Sequence, residues 1–197
     1  MKALVTYFSQ TGNTEKLARA IYDAIHFEKE LIPIKEVKSI KGYDIIFAGF
    51  PVHAHSVPAA THSFFKNLPD GQPIALFCTH GSLRGGHLPK QAIEHALSLA
   101  SKAKVLGTFG IQGKVNPRVI DALMNTLQHQ GWAEEAQGAI DHPTEADLAD
   151  GKTFAKGILA KSWIKEAQAA KKHPTKADLD DGKDFAEDIL AKIGRKK

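Results

Sequence analysis

Apolar residues along this chain follow two rhythms, short unbroken runs and longer stretches spaced three and four apart. The run Ala3–Phe8, broken only by Thr6, reads as a buried first strand. Leu17, Ala18, Ala20, Ile21, Ala24 and Ile25 then recur at helical spacing, which predicts a helix from Asn13 or Thr14. Lys29–Ile34 is a short strand candidate. Tyr43–Phe50 is a stronger one, near-continuously apolar as a strand covered on both faces should be. Pro51–Pro58 reads as a loop and Ala59–Asn67 as a helix. Pro73–Cys78 is the next buried strand, followed by a glycine-rich loop over Thr79–Gly86. Pro89–Ala103 places Ala92, Ile93, Ala96, Leu97 and Ala100 on one helical face, and Val105–Ile111 completes the set. Five strands alternating with amphipathic helices predict an α/β fold, a doubly wound parallel sheet.

Beyond the last strand the pattern changes. Asn116-Pro117 predicts a helix running to about Gln130, with Asn as cap and Pro in the first turn. Trp132–Lys161 then recurs as Trp163–Lys192, with 20 of 30 paired positions identical. Thr144 with Asp147, and Thr175 with Asp178, each form a capping-box-like helix start. The expected organisation is a domain over 1–161 and a duplicated helical segment over 162–197. One copy supplies the last helix over the sheet. The other has no obvious slot, which leaves two readings: a tandem duplication whose extra helix packs outside the domain, or helix exchange or a homodimer contact that buries its apolar stripe.

Composition narrows the class. A chain of 197 residues, 43% hydrophobic and 24% charged, can bury such a sheet without staples. Cys78 is the single cysteine, so no intramolecular disulfide forms, and a reducing cytoplasmic setting is expected. Cys78 closes a buried strand and reads as core rather than reactive thiol. The N-terminal apolar run is too short for a signal peptide or a membrane span. The net charge of +4 is uneven: residues 1–130 carry 14 Lys+Arg against 9 Asp+Glu, residues 131–197 carry 12 against 13. That excess favours an acidic protein partner over nucleic acid, because the lysines are scattered and no basic-aromatic cluster exists.

The chemistry is concentrated in Ser9-Gln10-Thr11-Gly12-Asn13-Thr14, directly between the first strand and its helix. Hydroxyls and free backbone N–H groups at a helix N-terminus make an anion site suited to a phosphate monoester. The turn lacks Gly-Lys-Ser/Thr and Gly-x-Gly-x-x-Gly, which excludes a triphosphatase loop and a dinucleotide fingerprint. Ser9-x-Thr11-Gly12-Asn13-Thr14 resembles the FMN-phosphate loop of the flavodoxin family, and Tyr7 to Ile21 fits that family's N-terminal pattern almost throughout.

The resemblance implies strand order 2-1-3-4-5, FMN as cofactor, and ligand loops after strands one, three and four. Ser9, Thr11, Gly12, Asn13 and Thr14 would hold the phosphate. Pro51, Val52, His53, Ala54 and His55 correspond to the loop that walls one side of the isoalloxazine ring. The family often has Trp there; here His53 and His55 are the candidates, both on one side of an extended segment. Thr79, His80, Gly81, Arg84 and Gly85 form the third segment, where glycines allow close approach to a flat ring. The Tyr usual in that loop is missing, which leaves His80 or Leu83. These loops carry His and Arg but no Asp or Glu, so a flavin potential above that of acidic flavodoxins is expected. Two functions remain open: an electron carrier between redox partner proteins, or an NAD(P)H-dependent FMN or quinone reductase. A flavin-free interaction module would need the phosphate loop to be vestigial.

Overall fold

Five strands pair in parallel in the order β2-β1-β3-β4-β5: β1 (Lys2–Tyr7), β2 (Glu28–Pro33), β3 (Ile45–Pro51), β4 (Pro73–His80) and β5 (Lys104–Gln112). The expected order is therefore present. A computed structural model describes residues 1–83, 85–125 and 130–171. Its compact units are Met1–Ile158 and Leu159–Lys197. The first holds the whole sheet with helices α1 (Asn13–Asp23), α2 (His62–Lys66), α3 (His87–Leu99), α4 (Pro117–Met124) and α5 (Gln130–Gly138). It also holds the opening turns of α6 (Glu145–Lys171). Of the second unit, the backbone is described to Lys171.

Alternation along buried strands sends successive side chains to opposite helical layers. Leu4, Ile46, Ile74, Leu76 and Cys78 pack with Ala92, Ala96 and Ala100 of α3, whose small side chains let the helix lie close to the sheet. On the other face Leu17, Ala18 and Ile21 of α1 are fully buried. The expected α6 slot is there too. The Phe154 ring stacks on Phe109 at 5.1 Å and meets Phe47 edge-on at 6.5 Å. Gly151 is where α6 touches α1: a Cβ there would stand 2.5 Å from Leu17 Cδ1. Burial of each such Leu, Ile or Phe contributes about 1.5–3 kcal/mol.

Two expectations shift. The helix after Asn116 stops at Met124 rather than near Gln130, because Asn125 leaves the helix and its Nδ2 donates to the Asp121 carbonyl. The helix that opens the repeat continues to Lys171, so the expected boundary at 161 falls inside α6. The greater part of the second copy, residues 172–192, lies outside the described residues, and with it the expected exchange or homodimer contact. Among the described residues no helix is long and apolar enough to cross a membrane.

The start of α6 is a reciprocal capping box. Asp147 N–H donates to Thr144 Oγ1 (3.3 Å), while Asp147 Oδ2 accepts from Thr144 N–H (2.8 Å) and from its hydroxyl (2.7 Å). His142 Nδ1 stands 2.6 Å from the same oxygen. Burial alone would raise the Asp147 carboxyl; the bonds from Thr144 and His142 outweigh it and hold the group below the ordinary 3.8. The unfolded chain then binds more protons than the folded one between those two values. This stabilisation is complete above about pH 4 and disappears as pH falls through the folded value. Urea midpoints measured across pH 2–5 are expected to show that slope. Asp147→Asn should flatten it and cost about 1 kcal/mol at neutral pH.

Candidate functional site

The loops that leave the carboxyl ends of β1, β3 and β4 meet at the edge of the sheet beside its switch point. In the first loop, Ser9 Oγ accepts from Gly12 N–H at 3.1 Å and folds the turn. Gly12 caps α1 in the left-handed region (φ 88°) and offers no side-chain cap. A Cβ on it would point into open space, so glycine is there for its backbone conformation. Helix geometry leaves the N–H groups of the first turn without intrahelical acceptors, and they face outward. Thr11 is exposed. The one acidic side chain of that turn, Glu15, is drawn away to Arg19 at 2.6 Å.

Asn13 and Thr14 act mainly as struts. Asn13 Nδ2 donates to the Lys114 carbonyl at 2.8 Å, tying α1 to the segment after β5. Thr14 Oγ1 lies 2.8 Å from Thr79 Oγ1 in a buried hydroxyl pair that joins the first loop to β4. A cleft of about 490 Å³ runs beside this loop, lined by Thr11, Asn13, Lys16, Lys114, Asn116 and His142. Lys35 Nζ sits 5.4 Å from the Phe8 ring centre on another side.

The second loop is not the extended segment expected. His53 and Ser56 exchange two backbone hydrogen bonds at 3.0 Å, so Ala54 and His55 form a two-residue turn. Both have positive φ, 46° and 61°, a conformation costing non-glycine residues on the order of 1 kcal/mol or more each. The turn is held from below: Ser56 Oγ is 2.5 Å from His95 Nδ1, and the His62 ring stands edge-on to His95 at 5.3 Å. His53, Ala54 and His55 are all exposed at the tip. Pro51 ends β3, and Val52, whose N–H donates to the Thr79 carbonyl, packs against the core.

The third loop starts later than its sequence suggests, because β4 runs through Thr79 and His80. Both are buried. His80 is 5% exposed, with Nδ1 2.9 Å from the Ser82 carbonyl, so its ring organises the loop from beneath. Leu83, 57% exposed, is the apolar side chain this loop presents outward. Gly81 also serves another purpose than expected. A Cβ there would collide with Val115 Cγ2 at 2.4 Å and approach Trp132 Cζ2 at 3.1 Å. Packing against α5 requires glycine at this position. Gly85 takes φ 80° in the turn before α3. Arg84 lies outside the described residues. Cys78 is fully buried and its thiol is pushed up to about 12 by that burial, consistent with a core role.

Sequence reasoning did not foresee that α5 reaches this site. Trp132 Nε1–H donates to Ser82 Oγ (3.0 Å), and Glu135 Oε2 accepts from Leu83 N–H (3.1 Å). A carboxylate therefore reaches a loop whose own sequence carries none: Glu135 arrives from 52 residues away. The only local sign was a covered face on α5, made by Trp132, Ala133 and Ala136.

A five-stranded 2-1-3-4-5 sheet with an uncapped, hydroxyl-rich first turn defines a mononucleotide-binding α/β protein. The flavodoxin domain model matches residues 4–156, and the chain belongs to that family. Flavodoxin-like domain-containing protein BilS of Clostridioides difficile (strain CD3) is 31% identical over 177 residues, covering 82% of this chain and 98% of that protein. Among solved structures, oxidised Flavodoxin 2 from Bacillus cereus superposes with a TM-score of 0.53 at 21% identity, covering 82% and 99% of the two chains. Azoreductase AzrA gives 0.51 at 15% identity, covering 79% and 99%. At these identities the structural likenesses are of fold.

FMN is the cofactor of this family, and the first loop fits it. Outward N–H groups, the Thr11 hydroxyl and a left-handed Gly12 suit a phosphate dianion, with the loop's own carboxylate turned away. The packing account of Gly81 is tested without flavin. Gly81→Ala is expected to lower the urea-unfolding stability of the cofactor-free chain by about 1–3 kcal/mol, since Val115 and Trp132 must move.

Proposed function

We propose that this chain is an FMN-binding electron carrier that serves acidic protein partners. The observation carrying the reading is the uncapped start of α1 behind Gly12, a neutral anion cradle placed where strand order reverses. Bound FMN supplies one- and two-electron storage. The protein's share is to hold and orient it. Ser9 fixes the turn, Thr11 and the first-turn amides would grip the phosphate, and Asn13 and Thr14 keep those amides in register. The β3 turn and the Leu83 loop would flank the ring, with Gly85, His53 and His55 at its border. Lys16, Lys35 and Lys114 around the first loop supply the positive rim for an acidic partner.

A reductase reading is favoured by one feature. Both ring loops present small or flexible groups at their tips, Ala54, His55 and Leu83, which leaves a face that a second substrate can approach. Absorbance and calorimetry on the purified chain with added FMN test the main reading. Uptake is expected, with Thr11→Ala weakening it about tenfold or more through loss of a hydroxyl bond to a charged group. A chain that takes up no FMN refutes the proposal. Steady turnover of NADPH with a quinone acceptor would replace the carrier by the reductase.

A further inference from the structure

α5 is joined to the β4 loop by two side-chain bonds and one close packing contact. The Trp132 indole N–H donates to Ser82 Oγ, and Ser82 is only 3% exposed. The same indole fills the space beside Gly81 together with Val115. One helical turn later, Glu135 accepts from the backbone N–H of Leu83. α4 and α5 share a small core of Ile120, Ala133 and Ala136, with Val115 and Trp132 packed against it. Consecutive loop residues 81, 82 and 83 are thus all fixed by one helix.

We infer that α5 shapes and charges the ring loop: Trp132 is a positioning residue for it, and Glu135 lowers the reduction potential of the bound flavin. The inference rests on the FMN reading above. Reduction adds negative charge to the ring, and a carboxylate bonded to the adjoining loop opposes that charge. Glu135 therefore counteracts the positive groups of the loops, and a potential above that of acidic flavodoxins does not follow from the loop sequences alone. The bond to Leu83 also commits that backbone N–H to the protein, so Leu83 faces the ring with its side chain and not with its amide.

Redox titration of the FMN-loaded full chain separates charge from shape. Glu135→Gln keeps an acceptor for Leu83 N–H and removes the charge. Its potential is expected to rise by an equilibrium factor on the order of ten, about 30 mV for a two-electron couple. The rise should shrink in high salt, as a partly exposed charge requires. Ser82→Ala removes the indole's acceptor and leaves the Trp132 side chain whole. It is expected to weaken FMN binding about fivefold, the worth of one hydrogen bond. A third measurement needs no flavin: the Trp132 indole proton should exchange slowly in the cofactor-free chain and quickly in Ser82→Ala. An unchanged potential in Glu135→Gln overturns the charge assignment, and fast indole exchange in the wild type overturns the positioning one. A wild type that binds no FMN fails the earlier reading instead, and indole exchange still decides whether α5 holds the loop.

Discussion

The site depends on one buried contact, the hydroxyl pair between Thr14 and Thr79. Thr14 belongs to the first turn of α1 and Thr79 to the end of β4, and β3 lies between β1 and β4 in the sheet. The pair therefore fixes the distance between the phosphate loop and the ring loop across the switch point. Around it the backbone completes the tie: the Thr79 carbonyl accepts from Val52 N–H at 2.8 Å, and the Gly49 carbonyl accepts from Phe8 N–H at 2.9 Å. Three loops are thus registered to each other by groups that do not themselves need to touch a ligand. A buried pair of this kind is costly to break, because either hydroxyl left alone keeps its desolvation penalty.

The parts outside the simplest α/β plan are built onto that frame. The segment after β5 is anchored at its start by Asn13 on the Lys114 carbonyl and at its end by Lys114 N–H on the His142 carbonyl. Between those anchors the chain makes α4 and α5 and brings Trp132 and Glu135 onto the ring loop. Gly113 shows how tight the first anchor is, since a Cβ there would stand 2.9 Å from Asn13 Nδ2. Asn13 thereby ties the start of α1 to the segment that leads into α4.

What the sequence made legible follows from range. The five strands, their helices and the phosphate loop are local patterns: apolar runs, helical spacing, and hydroxyls with glycine at a strand–helix junction. The strand order came from the resemblance, and pairing confirmed it. The loops after β3 and β4 were legible in position along the chain, and their local structure was not. His80 and Thr79 look like loop residues because β4 ends without a breaker, yet both are buried in the strand. His53 and His55 read as an extended pair because nothing local announces a turn with two non-glycine residues at positive φ. Ser56, which pairs with His53 across that turn, bonds to His95, 39 residues away. Glu135 escaped for the same reason.

Charge follows the same division between local and distant. The phosphate loop contains no lysine or arginine, so a dianion there meets only amides, hydroxyls and the helix dipole. Those groups are fixed by the fold and need no reorganisation when the anion arrives. Lys16, Lys35 and Lys114 stand around the loop and are exposed. Exposed charges at that remove are screened by salt and favour the approach of an anion more than its retention. On the proposed reading, affinity and approach would be carried by different residues. Glu135 adds a third element, a negative charge placed at the ring loop and away from the phosphate cradle. Glu135 stands on the loop proposed to flank the flavin ring, apart from the lysines around the first loop.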